Sequence, residues 1–150
     1  MCIPFRLLFA GTLGLSAFPH QVWAAELQIE HAALQQCGAY SQAEMRGCLK
    51  KVFDESNERL RHAEEQAFSA LAGWDEDAKF IDLAKKKLQA SSKAHQQYRD
   101  AQCAFVSTLA GGAIGHAVEL RRISCIIKLN VERTQQLKTE SATLPLKLIP

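Results

Sequence analysis

The chain has 150 residues, of which 47% are hydrophobic and 23% are charged. This composition fits one globular domain and excludes collagen-like, low-complexity and disordered polymers. The formal net charge is only +2, from 18 basic and 16 acidic residues, and the basic runs are short and flanked by apolar residues. The sequence therefore gives no indication of a nucleic-acid surface.

The first 24 residues have the features of a secretory signal peptide. Arg6 is the only charged side chain before Glu26, and an apolar stretch covers residues 7–18. This stretch is about a dozen residues, shorter than the roughly 20 that a membrane-spanning helix needs, so a cleaved signal is favoured over an uncleaved anchor. Val22-Trp23-Ala24 ends in a small residue, and we predict cleavage after Ala24.

The predicted cleavage defines three segments and places the protein in the periplasm or the medium. Cys2 precedes the apolar stretch rather than following it, which argues against a lipid anchor. Removal of the signal leaves 17 basic and 16 acidic residues, so the mature chain is nearly neutral. The expected segments are a signal peptide over 1–24, a helical domain over 25–140 and a C-terminal tail over 141–150.

The mature chain is predicted to be all-α. No proline occurs between residues 25 and 144, and proline costs about 3 kcal/mol inside a helix, so long helices can form without interruption. A short helix over Glu26 to Gln36 is expected first. We expect about three long helices to follow, in an antiparallel bundle or hairpin stapled by disulfides.

The first long helix is predicted from Ser41, which forms a capping box with Glu44, to Gly73. Its residues recur at three-and-four spacing, which is typical of a helix with one buried face. The members of this stripe are Met45, Leu49, Val52, Ser56, Leu60, Ala63, Ala67 and Leu71.

The second and third long helices are predicted on either side of a glycine turn. The second begins at Trp74-Asp75 and ends at Gly111-Gly112, and Gly115 completes the turn. Its expected buried face consists of Phe80, Leu83, Leu88, Ser91, His95, Tyr98 and Phe105. The third helix carries Val118, Ile123, Ile126, Leu129, Val131 and Leu137.

Four cysteines remain after export, an even number in a compartment where disulfides persist. Their spacing matches neither the short pairs of zinc sites nor the Cys-x-x-Cys of redox enzymes. A chain reversal near residue 114 places Cys103 opposite Cys125. Cys37 lies before the first long helix, so a short loop can bring it to Cys48, whereas one continuous helix would hold the two about 16 Å apart. The expected bridges are 37–48 and 103–125.

Several residues together carry a family resemblance. The run Tyr98-Arg99-Asp100-Ala101-Gln102-Cys103 is followed by Gly111-Gly112 and then by Cys125, with Arg133 and Leu137 behind it. Cys37 and Cys48 stand ahead of a long amphipathic helix that contains Glu58-Arg59-Leu60. This order resembles the LprI-like family of bacterial envelope proteins. The resemblance implies a helical exported domain and similarity to inhibitors of lysozyme.

The chain departs from the family pattern at three positions. His95 stands where many members have Trp, Gln102 where they have Glu, and Asn130 where they have Thr. The same turn geometry that pairs the cysteines gathers a polar cluster, consisting of His95, Arg99, Asn130 and Arg133. Either the arginines bind carboxylates of the first long helix (Glu55, Glu58 or Glu65) and the cluster is structural, or the cluster contacts a partner.

The sequence does not indicate an enzyme. It lacks a Gly-x-Ser-x-Gly elbow, a phosphate-binding glycine loop and a His-Glu-x-x-His motif, and no cofactor or metal is expected. Two binding functions remain. In the first, the chain blocks lysozyme or another peptidoglycan hydrolase by presenting cations to a cleft that works through two carboxylates. The candidate contact residues are His116, Arg121 and Arg122. Alternatively, it is an envelope scaffold or assembly factor that uses an apolar helix face or the tail, without a stable membrane anchor.

Overall fold

Three long helices form the protein in the computed structural model, which describes residues 36–38, 41–112 and 116–147. Helix α1 spans Gln42–Ala72, α2 spans Ala78–Thr108 and α3 spans Ala117–Ala142. Residues 36–38 are also helical. The all-α prediction is therefore confirmed. The predicted signal peptide, nearly all of the predicted short N-terminal helix and Gly115 lie outside the described residues.

The helices run up, down and up again. Arg46 on α1 reaches Glu119 on α3, and Asn130 on α3 reaches Asn57 on α1. Both pairs are separated by 73 positions, so α1 and α3 run parallel. Helix α2 is antiparallel to α3 and is joined to it by the 103–125 disulfide. In the described part of the chain, no helix is long and apolar enough to cross a membrane.

The buried face of α1 matches the predicted stripe. Its capping box is present, since the backbone N–H and the hydroxyl of Ser41 both donate to the Glu44 carboxylate, at 3.1 and 2.6 Å. Five stripe residues are buried, and Met45, Val52 and Leu71 are half-buried. The buried members are Leu49, Ser56, Leu60, Ala63 and Ala67.

The two predicted cysteine pairs are both disulfides. Cys37 is bonded to Cys48, and Cys103 is bonded to Cys125, with Cα–Cα distances of 5.6 and 5.5 Å. The first bridge lies with Leu49 in a core cluster at the start of α1. The second lies in the cluster between α2 and α3. Both disulfides therefore lie in the same half of the bundle.

A third core cluster occupies the other half of the bundle. Leu60, Ala63 and Ala67 of α1 pack with Leu137 of α3, and Leu88 of α2 covers them. The two alanines present little side chain, so α1 and α3 can approach closely here. A buried polar layer, described below, lies between this cluster and the disulfide half.

The predicted buried face of α2 was wrong in part. Leu88 and His95 are half-buried, but four of the large residues assigned to the core are exposed, and Ser91 is exposed as well. The 103–125 bridge sets the rotation of α2, because Cys103 must face α3. Successive residues of a helix are rotated by 100°, so Tyr98 and Phe105 point about 140° and 160° away from the direction of Cys103. The exposed large residues are Phe80, Leu83, Tyr98 and Phe105.

The start of α2 also differs from the prediction, and the C-terminal tail lies beside it. Helix α2 begins at Ala78 rather than at Trp74-Asp75, because residues 73–75 bind the C-terminal segment instead. Trp74 bridges Leu146, the Asp75 N–H donates to the Pro145 carbonyl at 2.9 Å, and the Lys147 N–H donates to Gly73 at 3.0 Å. Helix α3 extends two residues beyond the predicted boundary at 140. The tail therefore packs against the turn between α1 and α2 as far as residue 147.

Candidate functional site

Asn130 is the centre of the polar layer. It is fully buried on α3, and its amide nitrogen donates to the Ser56 hydroxyl at 3.0 Å and to the Asn57 side-chain oxygen at 2.9 Å. Its own oxygen accepts a hydrogen bond from Arg99 Nη1 at 3.0 Å. The Ser56 hydroxyl in turn donates to the Phe53 carbonyl at 2.8 Å. One amide thus connects all three helices, and both its donor and acceptor groups are satisfied.

Arg99 joins this layer to the surface. Its Nε and Nη2 both donate to Asp100 Oδ1, at 3.2 and 3.1 Å. The arginine side chain is 15% exposed and that of Asp100 is 50% exposed. One guanidinium therefore neutralises an exposed carboxylate while donating inward to the buried amide.

The predicted carboxylate partners on α1 do not contact the cluster arginines. Glu55 binds Arg59, whereas Glu58 and Glu65 both bind Arg61. These three glutamates lie on the exposed face of α1 and are satisfied within one or two turns of their own helix. The prediction of an Arg–Glu pair between helices was wrong because the buried face of α1 offers Ser56 and Asn57 instead.

His95 and Arg133 flank the layer on the side away from the disulfides. Arg133 Nη2 donates to Ser91 Oγ at 2.8 Å, and Nη1 donates to Gln136 at 2.7 Å. Burial lowers the pKa of His95, and the nearby positive charges of Arg133 and Arg99 lower it further, although a hydrogen bond with the Leu129 backbone acts in the opposite direction. His95 is thus held towards its neutral form between two cations.

The four predicted cluster residues do lie together, and two of them, His95 and Arg99, border a cleft between α1 and α2. The cleft has a volume of about 440 Å³. Its lining includes Asn57, Leu60, Glu64, His95 and Arg99. Because the hydrogen bonds of Asn130 and Arg99 are used within the bundle, the geometry of the cluster itself is that of a structural layer.

The second predicted group lies at the disulfide end of the bundle, at the start of α3. His116 immediately precedes the helix and is exposed, and its Nδ1 lies 3.6 Å from Glu119 Oε2. The other oxygen of Glu119 accepts from Arg46 Nη2 of α1 at 3.1 Å. Glu119 therefore connects the starts of α1 and α3 and also contacts His116.

Arg121 and Arg122 follow on the first turns of α3, and both are exposed. Neither forms a hydrogen bond or an ion pair with any residue that the structure describes. Together with His116 they place three exposed basic side chains within seven residues of one another. Arg121 and Arg122 can reach carboxylates on another molecule without breaking internal contacts, whereas His116 would exchange its contact with Glu119.

Sequence reasoning missed four residues of these two groups: Arg46, Ser56, Asn57 and Glu119. Ser56 did carry a signal, because a polar residue within an otherwise apolar stripe needs a hydrogen-bond partner when buried. Glu119 could have been linked to His116 by their three-residue spacing on a helix. The pairing of Arg46 with Glu119, across 73 positions, has no comparable local signal.

No arrangement for metal binding is found in the described ranges 36–38, 41–112 and 116–147. Within them, no three His, Cys, Asp or Glu side chains lie close enough together to hold a metal ion.

A family model described as lysozyme inhibitor LprI matches residues 21–137 of the chain. The match includes both disulfides, the polar layer and the three basic residues at the start of α3. No curated protein and no solved structure matches the chain.

Proposed function

The chain belongs to the lysozyme inhibitor LprI family, and from this premise we propose that it binds a lysozyme, or another peptidoglycan hydrolase, and blocks its catalytic cleft. The observation that carries the proposal is the family match, which spans residues 21–137 of the 150. On this proposal the chain acts by binding a protein and is not itself an enzyme.

The proposed contact is the basic group formed by His116, Arg121 and Arg122. Lysozyme cleaves its glycan with two acidic residues that flank the scissile bond. A cation inserted between such groups gains charge-assisted hydrogen bonds in a site shielded from water. The three residues are exposed, so they are available for this role.

Rigidity of this end supports the proposal, because a preorganised inhibitor loses less conformational entropy on binding. The 103–125 disulfide fixes α3 against α2, and the 37–48 disulfide fixes the start of α1. The Arg46–Glu119 ion pair joins α1 to α3 next to His116. The basic group therefore lies on the half of the bundle that contains both disulfides.

We also propose that the chain is exported to the periplasm or the medium, with cleavage near Ala24. The family and the presence of two disulfides support this location, since disulfides persist in oxidising compartments. Intact-mass measurement of material from the bacterial envelope or culture medium tests it: the expected chain begins at Ala25, and a chain that retains residues 1–24 would contradict the proposed cleavage.

The inhibition proposal is tested by lysis of a cell-wall suspension. A protein that occupies the cleft must act stoichiometrically, so the purified chain with both disulfides formed is expected to suppress lysis near an equimolar ratio. The double variant His116→Ala/Arg121→Ala is expected to relieve this suppression. A control variant, Arg59→Ala/His62→Ala, removes the same two side-chain types from the exposed face of α1 and is expected to inhibit normally.

Two outcomes of this assay would contradict the proposal. Absence of inhibition at a tenfold excess, against both lysozyme and bacterial lytic enzymes, would reject the function. Equal loss of inhibition in both double variants would reject the assigned surface. Because the mature chain is nearly neutral, inhibition is expected to vary only modestly with salt.

A non-catalytic envelope scaffold is the second candidate function. The observation that favours it is the exposed apolar face of α2, which includes Phe80, Tyr98 and Phe105. A scaffold would leave lysis unchanged in the same assay.

A further inference from the structure

Helix α2 has a second apolar face, which points away from the bundle. Its large members are 45–57% exposed, and exposed alanines lie between them. At 100° per residue these positions fall within a band of about 100°, on the side opposite Cys103. We call this set the outer stripe; its large members are Phe80, Leu83, Tyr98, Phe105 and Leu109, and its alanines are Ala90, Ala94 and Ala101.

We propose that the outer stripe binds the outer stripe of a second copy, so that two chains pair through antiparallel α2 helices. This proposal is independent of lysozyme inhibition, since the basic group at the start of α3 is not part of the stripe. A two-fold axis beside Ala94 relates the two helices. Each residue then faces the residue of the second copy for which the two residue numbers add up to about 188.

The stripe is self-complementary in size about that axis. Tyr98 faces Ala90 of the second copy, and Phe105 faces Leu83. At the two ends, Leu109 faces Phe80. In the middle, Ala94 faces Ala94 of the second copy, and these small side chains let the two helices approach closely. Each aromatic ring is thus matched with a smaller side chain across the interface.

Charge opposes the pairing. Lys87 is the only charged residue within the band, and it faces the small, uncharged Ala101 of the second copy. Helix α2 carries six basic and two acidic residues, so two paired α2 helices repel one another at long range. Apolar contact therefore holds the pair, and added salt is expected to strengthen it by screening this repulsion.

The area predicts a weak dimer. From Phe80 to Leu109 the stripe is about 43 Å long and about 10–12 Å wide, so two copies together cover roughly 900–1,000 Å². This lies at the lower limit of specific interfaces. Pairing is therefore expected to depend on concentration.

A lipid surface fits the stripe less well than a second helix. Between Leu83 and Tyr98 the band has no large apolar side chain, only Lys87, Ala90, Ser91 and Ala94. An interfacial helix gains its affinity from buried apolar area, so a bilayer would gain little along this middle section. The α2 helix of a second copy can instead approach the alanines closely and pack against them.

Sedimentation equilibrium of the purified chain tests the proposal. The average mass is expected to rise from one chain towards two between about 10 μM and about 1 mM. Ala94→Lys, which places two further cations at the axis, is expected to raise the dimer dissociation constant at least tenfold. The control Ala142→Lys adds the same charge at an exposed alanine at the end of α3 and is expected to pair as the original chain does.

Single added cysteines test the register. Under mild oxidation, Ala94→Cys is expected to give a covalent dimer, because the two sulfurs face each other across the axis. Ala90→Cys is the matched control: its two copies lie about 12 Å apart along the helices, beyond disulfide reach. A monomer at every concentration, a dimer indifferent to Ala94→Lys, or equal cross-linking of both cysteine variants would overturn the proposal.

Discussion

Replacement of Asn130 by alanine tests the interpretation of the polar layer as structural. The substitution removes three hydrogen bonds, to Ser56, Asn57 and Arg99, at a position with no solvent exposure. It also leaves a space where the amide was. The helix propensity of alanine favours α3, so any loss of stability comes from the packing and hydrogen bonds of this one side chain.

The size of the loss follows from what each partner retains. Ser56 keeps its bond to the Phe53 carbonyl, and Arg99 keeps Asp100, so neither becomes an isolated polar group. Two neutral hydrogen bonds contribute about 1 kcal/mol each, and one to a guanidinium contributes about 1.5 kcal/mol or more. We therefore expect Asn130→Ala to lower the free energy of unfolding by about 3.5 kcal/mol and Tm by roughly 10 °C.

Chemical and thermal unfolding, followed by circular dichroism, measure this effect. Gln136→Ala is the control, because this exposed residue accepts a single hydrogen bond from Arg133 and its loss is expected to cost no more than about 0.5 kcal/mol. A double-mutant cycle with Asn57→Ala is expected to give a coupling energy of about 1 kcal/mol. A loss below about 1 kcal/mol for Asn130→Ala, or additive effects in the cycle, would refute the proposed layer.

Three further predictions concern the same core. Replacing Cys103 and Cys125 by serine opens a loop with a sequence separation of 22 and should cost about 3 kcal/mol on the chain-entropy model; an unchanged midpoint in denaturant would contradict this. Arg99→Ala is expected to cost about 1.5–3 kcal/mol without affecting lysis inhibition, and impaired inhibition at unchanged stability would instead make Arg99 a contact residue. Folding lowers the pKa of His95, so the unfolded chain binds more protons at this residue than the folded chain does. The contribution of His95 to stability is therefore present above the ordinary histidine pKa and is lost as the pH falls below about 6.5. His95→Gln should therefore show a smaller fall in Tm between pH 7.5 and pH 5 than the original chain, and an equal fall would contradict the assignment.

The features that the sequence predicted well depend on local spacing. The capping box of Ser41 and Glu44 and the stripe of α1 follow from three-and-four periodicity within one helix. The 103–125 bridge follows from one turn, because antiparallel neighbours on either side of it are fixed by counting. The same counting placed Arg99 opposite Leu129 or Asn130, and the structure has a 3.0 Å hydrogen bond between Arg99 and Asn130.

The features that were missed depend on the rotation and alignment of whole helices. Helix α2 has apolar residues on two faces, and periodicity alone does not choose which face is buried. The aromatic residues Tyr98 and Phe105 were assigned to the buried face because they recur on one side of the predicted helix, yet the bond of Cys103 to α3 turns them outwards. Likewise, the contact of Asn57 with Asn130 joins parallel helices 73 positions apart, and no local pattern records that alignment.

Competition for the lysozyme cleft tests whether the chain occupies this cleft when it binds. A chitooligosaccharide bound in the cleft reports its occupancy, and titration with the purified chain shows whether the protein displaces it. We expect displacement that saturates at one chain per lysozyme and is weakened by His116→Ala/Arg121→Ala. Binding that leaves the oligosaccharide in place, or no binding at all, would contradict the claim that the chain blocks the cleft.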